Sequence, residues 1–181
     1  SSIAFRASPA GLTGEVMEDE LQRIATLGRR EHWYINAEDL MLSPQRILGS
    51  GGFGVVVAGT FVGSPVAVKI AKHKIQKNGL PQLANELRIL RHVRHPNIAL
   101  FHGASFDPSA GMMVVVLELI QGELLSSFVD SGGCLGINGE ALACQVLSGI
   151  CRALTYLHSR EPCVVHGDIK PQNIMVERLA D

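Results

Sequence analysis

Apolar residues recur at helical spacing at Val16, Met17, Leu21, Ile24 and Leu27, behind an acidic start and ahead of Arg29 and Arg30, the polarity a helix dipole prefers. They predict an amphipathic helix over about 15–30, packed on its own domain or on a partner. Its acidic opening does not suit a membrane surface. Residues 1–14, broken by Pro9 and two glycines, read as a flexible lead-in. Segment 33–42 (WYINAEDLML) alternates apolar and polar positions and predicts a strand or an extended segment. Further strands are expected at 47–48, 55–58, 66–70, 98–102 and 112–120, the last two separated by a polar turn at Asp107, Pro108 and Ser109. Leu83, Leu87 and Leu90, opened by Pro81, predict a leucine-packed helix over 81–93. A short helix fits 123–129. Leu142, Val146, Ile150, Leu154 and Leu157 then predict a long core helix over 140–158.

Three places in this pattern carry residues that a plain core does not need. Leu48 leads into Gly49-Ser50-Gly51-Gly52-Phe53-Gly54-Val55-Val56, four glycines in six positions, where the backbone must turn tightly or approach a ligand closely. A dinucleotide fingerprint would require a helix next; the β-branched run that follows makes a hairpin instead, either an ordinary one or one whose tip covers phosphates. Lys69 sits in the apolar strand 66–70, on the face of Ala67 and opposite Val66, Val68 and Ile70. Burying it would require an anionic partner. Glu86, beside the leucine stripe, is either that partner or a solvated acid among Arg88, Arg91 and Arg94. His92 and His95 lack the spacing of a helical metal site.

Composition narrows the classes. The 181 residues are 46% hydrophobic, which supports a core and excludes disorder throughout. A net charge of -1 gives no basic balance for nucleic acid or an anionic membrane, so any phosphate binding is local. Cys134, Cys144, Cys151 and Cys163 form no C-x-x-C pair and read as reduced, mostly buried thiols, which fits a cytoplasmic or nuclear setting. Cys144 and Cys151, seven apart on the predicted long helix, look like packing residues. The longest apolar run, 112–120, is broken by Glu118 and is too short to span a bilayer.

The stretch Val165-His166-Gly167-Asp168-Ile169-Lys170-Pro171-Gln172-Asn173 reads as a polar loop between two short buried strands, at 164–165 and 174–176. Asp168, Lys170 and Asn173 are a carboxylate to take or orient a proton, an ammonium to meet phosphate charge and an amide oxygen to hold a cation. With the glycine loop, strand lysine, helix glutamate and HGDIKPQN loop in this order, the chain resembles the eukaryotic protein kinase family over about 33–176. Its opening WYINAEDLML is most similar to the tyrosine-kinase-like group.

The resemblance implies an α+β, protein-kinase-like bilobal fold. It would comprise a complete amino-terminal lobe over about 33–120, a five-stranded antiparallel sheet plus one helix, and the start of a carboxyl-terminal lobe over 121–181, with residues 1–32 as an extension whose helix could meet a regulatory partner. It also implies ATP and Mg2+ as cofactors and a protein serine/threonine substrate. Gly49, Ser50, Gly51, Gly52, Phe53, Gly54 and Val55 would cover the ATP phosphates. Leu48, Val56 and Ala67 would enclose the adenine, with Leu117 as gatekeeper and the 118–120 backbone, Glu118 to Ile120, as hinge. Lys69, held by Glu86, would bind the α and β phosphates, and Glu123 would lie near the ribose. Asp168 would act on the substrate hydroxyl, Lys170 on the transferring phosphoryl group, and Asn173 would bind magnesium. Lys170 matches serine/threonine rather than tyrosine kinases. Gly167 stands where many kinases carry an arginine that pairs with a phosphorylated activation loop. The sequence stops at Asp181 before any D-F-G, which leaves a truncated, largely inactive kinase or a kinase-like module that binds nucleotide or protein partners without catalysis.

Overall fold

The computed structural model describes residues 14–51, 54–71, 80–107, 112–135 and 139–177. They divide into two units: one takes the described chain through Val93 together with Leu100–Leu119, the other takes Arg94–Ala99 and the chain from Ile120 on. The 1–13 lead-in, the turn at 108–109, Gly52, Phe53 and Asp181 lie outside the described residues.

In the first unit β1 (Leu40–Gly51), β2 (Gly54–Phe61), β3 (Ser64–Ala71), β4 (Phe101–Asp107) and β5 (Met112–Glu118) form a sheet in the order β1-β2-β3-β5-β4. Every pairing is antiparallel, so the expected five-stranded sheet is present. Its β-branched residues fit a pleated, half-buried surface. Val66, Val68 and Val116 are fully buried, joined on that face by Ile35 and Val57. The other face packs Phe101, Phe106 and Met113 against two helices, α1 (Gly14–Arg30) and α2 (Leu80–Leu90). Leu21 and Ile24 of α1 meet Leu83, Ala84 and Leu87 of α2 in one cluster around Trp33. Each such side chain contributes about 1.5–3 kcal/mol of burial. The stripe of the amino-terminal helix is therefore spent on its own unit.

Several expectations need correction. Segment 33–42 is not one strand. Tyr34 makes a single parallel bridge to Ala104, Ala37–Asp39 is a 3-10 turn, and β1 starts at Leu40. The cause is local: Asp39 N–H donates to Asn36 O at 3.1 Å and Asn36 Nδ2 donates to Asp39 Oδ2 at 3.2 Å, closing a turn against the extended form. The strand expected from 98 begins at Phe101, because Ile98 N–H closes a turn onto His95 O at 3.0 Å. Pro44 sits in β1, an edge strand, where the pairing with β2 slips between Ser43 and Ile47.

The second unit holds β6 (Gly122–Leu124), α3 (Leu125–Asp130), α4 (Gly139–His158) and β7 (Met175–Glu177), with β6 and β7 paired antiparallel. The 94–99 segment docks on α4: Arg94 N–H donates to Tyr156 Oη at 2.9 Å, and His95 stacks on the Tyr156 ring at 5.2 Å. The expected core helix is present in period but not in burial. Only Gly139 and Leu157 are buried, while Leu147 is 61% exposed. Where contacts to the helix are described, they come from the 94–99 turn and from Val164, whose N–H donates to Leu157 O at 3.1 Å. The thiols follow: Cys144, Cys151 and Cys163 are exposed and Cys134 is half-buried, all four free, so Cys144 and Cys151 are not packing residues. Residues 164–165 form no strand, Val165 is exposed, and β7 is not buried because its ladder has one neighbour only. Among the described residues no helix is long and apolar enough to cross a membrane.

Candidate functional site

The loop between α4 and β7 brings its three polar residues together. Lys170 Nζ lies 2.8 Å from Asp168 Oδ2, and Asn173 Nδ2 donates to the same oxygen at 2.8 Å and to Asp168 O at 2.9 Å. The turn is built for it. Gly167 takes φ 75, a left-handed conformation cheap for glycine, Asp168 N–H donates to His166 Nδ1 at 3.3 Å, and Pro171–Asn173 is a 3-10 turn closed by Asn173 N–H on Lys170 O. The Asp168 carboxyl is held below its ordinary value, first by the Lys170 hydrogen bond, against an opposing desolvation, and then by the Asn173 hydrogen bond and the nearby charges of Lys170 and His166. The pair of hydrogen bonds from Asn173 Nδ2 to Asp168 leaves Oδ1 as that amide's remaining acceptor. Oδ1 is a hard neutral oxygen of the kind Mg2+ accepts alongside phosphate and water. Among the described residues no three His, Cys, Asp or Glu side chains group as an all-protein metal cage.

The remaining candidates lie on the sheet unit, except Ile120 and Glu123. Leu48, Gly49, Ser50 and Gly51 close β1, and Gly54, Val55 and Val56 open β2, with Gly49 opposite Val56 and Gly51 opposite Gly54. A Cβ on Gly54 would collide with the Ile70 carbonyl, so the fold itself requires glycine there. A Cβ on Gly49 or Gly51 would meet nothing within 4 Å. Protein packing does not explain those two, and the open space suits a ligand approached closely by backbone. Ala67 and Lys69 lie on β3, opposite Leu117 and Val115. Val115 and Leu117 pack against the cluster that includes α2, so Lys69 shares the sheet face that α2 covers.

Glu86, on α2, is half-buried, and burial pushes its carboxyl up. Among the described residues no ion pair joins it to Lys69. Leu117 and Glu118 end β5; Ile120 is the first residue of the other unit, and Glu123 lies on β6. Glu118 N–H donates to Leu100 O at 2.8 Å, and Glu118 Oε2 accepts Leu100 N–H at 3.0 Å. An antiparallel pair ordinarily exchanges both bonds through the main chain. Here the side chain takes one, and the Glu118 carbonyl is left out of the exchange.

Residues 42–181 match the family model described as protein kinase domain. The chain belongs to that family. The kinase domain is 32% identical over 147 residues to the probable serine/threonine-protein kinase drkD of Dictyostelium discoideum, a match covering 80% of this chain and 11% of that protein. It is 30% identical over 146 residues to the serine/threonine-protein kinase VIK of Arabidopsis thaliana, covering 80% and 32%. With the serine/threonine-protein kinase CTR1 of the same plant it shares 32% identity over 132 residues, covering 72% and 16%. The chain thus spans less than a third of the length of these relatives. Sequence reasoning missed the Glu118 side-chain bond, the docking of Arg94 and His95 on Tyr156, and, ahead of the matched domain, the ion pairs of Glu31 with Arg88 and Arg91. Each depends on a partner distant in sequence.

Proposed function

We propose that the chain carries the nucleotide-binding and transfer machinery of a serine/threonine protein kinase, moving the γ-phosphoryl group of ATP to a protein hydroxyl. The observation that carries this reading is the convergence of Asp168, Lys170 and Asn173 at 2.8 Å. Asp168, kept ionised, accepts or orients the substrate hydroxyl proton. Lys170 places positive charge beside that proton acceptor, where charge spreads over the transferring group. Asn173 Oδ1 is the oxygen that would hold magnesium, an ion that neutralises phosphate charge when bound.

On the sheet unit the open backbone at Gly49 and Gly51 would lie along the phosphates, together with Ser50, Gly52, Phe53, Gly54 and Val55. Leu48, Val56, Ala67 and Leu117 would supply apolar contact for the base, and Lys69 would meet the α and β phosphates, with Glu86 on the helix that covers its sheet face as the carboxylate to hold it there. The Glu118 carbonyl would be the acceptor for the adenine amine, and Ile120 would continue the hinge backbone. The lysine two positions after Asp168 favours a serine or threonine acceptor.

Asp168→Asn keeps the size of the side chain and removes its basicity. It should lower phosphate incorporation by the full-length protein about 10²–10⁴-fold, with little change in ATP affinity. Turnover unaffected by the substitution would sink the assignment. ATP binding by the parent without any transfer would favour the binding-module reading.

A further inference from the structure

Glu31, in the turn after α1, engages two arginines and a tryptophan at once. Its side chain is only 14% exposed. Arg88 Nε lies 3.0 Å from Oε1, Arg91 Nη1 lies 3.3 Å from Oε2, and Trp33 Nε1 donates to Oε2 at 3.2 Å. Arg91 Nη1 also donates to the Glu31 main-chain carbonyl. Arg88 belongs to α2, and Arg91 follows directly on its last turn, where its N–H still bonds Leu87 O at 3.0 Å. One carboxylate therefore grips the end of α2 from two successive positions.

The grip supplies something the apolar packing of α2 does not. Leu83, Ala84 and Leu87 hold the helix against Leu21 and Ile24, but apolar burial is non-directional and tolerates rotation about the helix axis. Charge-assisted bonds to guanidinium have a fixed geometry and do not. Glu86 lies two residues before Arg88, so the rotation of α2 decides where its carboxyl points relative to the sheet face bearing Lys69.

The geometry points to Glu31 as a positioning residue that fixes the rotation of α2, and through it Glu86, so that the segment preceding the sheet sets nucleotide affinity. The inference rests on the role proposed above for Glu86 and Lys69. It also gives the amino-terminal helix a use inside the domain.

The test is a set of substitutions in the full-length protein. Glu31→Gln should raise KM for ATP by about 2- to 30-fold, with a smaller change in kcat, and should speed amide exchange across α2 in nucleotide-free protein. Arg88→Gln, at a side chain 51% exposed and unable to unfold the domain by itself, should do the same. Charge exchange, Glu31→Arg with Arg88→Glu and Arg91→Glu, should recover KM toward the parent. A merely structural ion pair predicts a lower melting temperature with KM unchanged, and that result overturns the proposal. So does failure of the exchanged set to recover KM when it folds. Lys69→Met serves as the control for the parent reading: if it leaves transfer intact, the kinase assignment fails; if it abolishes transfer while Glu31→Gln is silent, only the clamp fails.

Discussion

Two carboxylates in this chain are driven in opposite directions by their surroundings, and both shifts are tied to the proposed chemistry. Asp168 is lowered by its bond to Lys170, which favours its ionised form. Glu86 is raised from 4.5 by burial. A raised acid favours the fold fully below its unfolded value and loses that contribution as pH rises through the folded one. At neutral pH Glu86 therefore costs stability in the nucleotide-free protein. Glu86→Gln should be at least as stable as the parent at neutral pH, and its advantage should shrink on acidification toward 4.5; thermal melts across that range check it, and a parent more stable than the variant at neutral pH contradicts it. The Asp168 cluster was legible in the sequence because its three members lie within six residues, where spacing alone limits their separation. Glu31 was not, since its contacts with Arg88 and Arg91 cross 57 and 60 residues.

At the scale of elements, periodicity reported what each segment is but not what covers it. The parity of β3 placed Val66 and Val68 inside and Lys69 opposite them, as observed, because a strand in a two-faced sheet has only two options. The stripe of α1 was equally plain, yet its seat among α2 and the sheet depends on the three-dimensional path. Leu21, fully buried, measures that seat: Leu21→Ala should cost about 2–5 kcal/mol in chemical denaturation. A loss below about 1 kcal/mol would mean that α1 frays without consequence for the domain. The long helix α4 shows the converse, a correct period whose stripe is half-buried at Val146, Ile150 and Leu154 and fully buried only at Leu157. Segment 33–42 shows how an Asn36 to Asp39 side-chain bond overrides an alternation that counted as strand.

At the scale of the whole molecule the units do not follow chain order, since 94–99 lies between α2 and β4 in sequence yet belongs with α4. Amide exchange should therefore protect 94–99 in step with α4. Tyr156→Phe, which deletes the Arg94 bond, should loosen that segment while leaving β3 and β5 unchanged; equal loosening of the sheet would refute the division. The bridge of residues 33–35 to β4 has a consequence for where the domain begins. The family model matches from residue 42, whereas Ile35 N–H and Trp33 O close hydrogen bonds of 2.9 Å with Ala104 on the outer strand. The folded unit thus reaches further back than that match. A chain begun at residue 42 would bare the rim of β4, an unsatisfied row of donors and acceptors open to another molecule, and would also lose Leu21, Ile24 and Trp33 from the core, so self-association and loss of stability would come together.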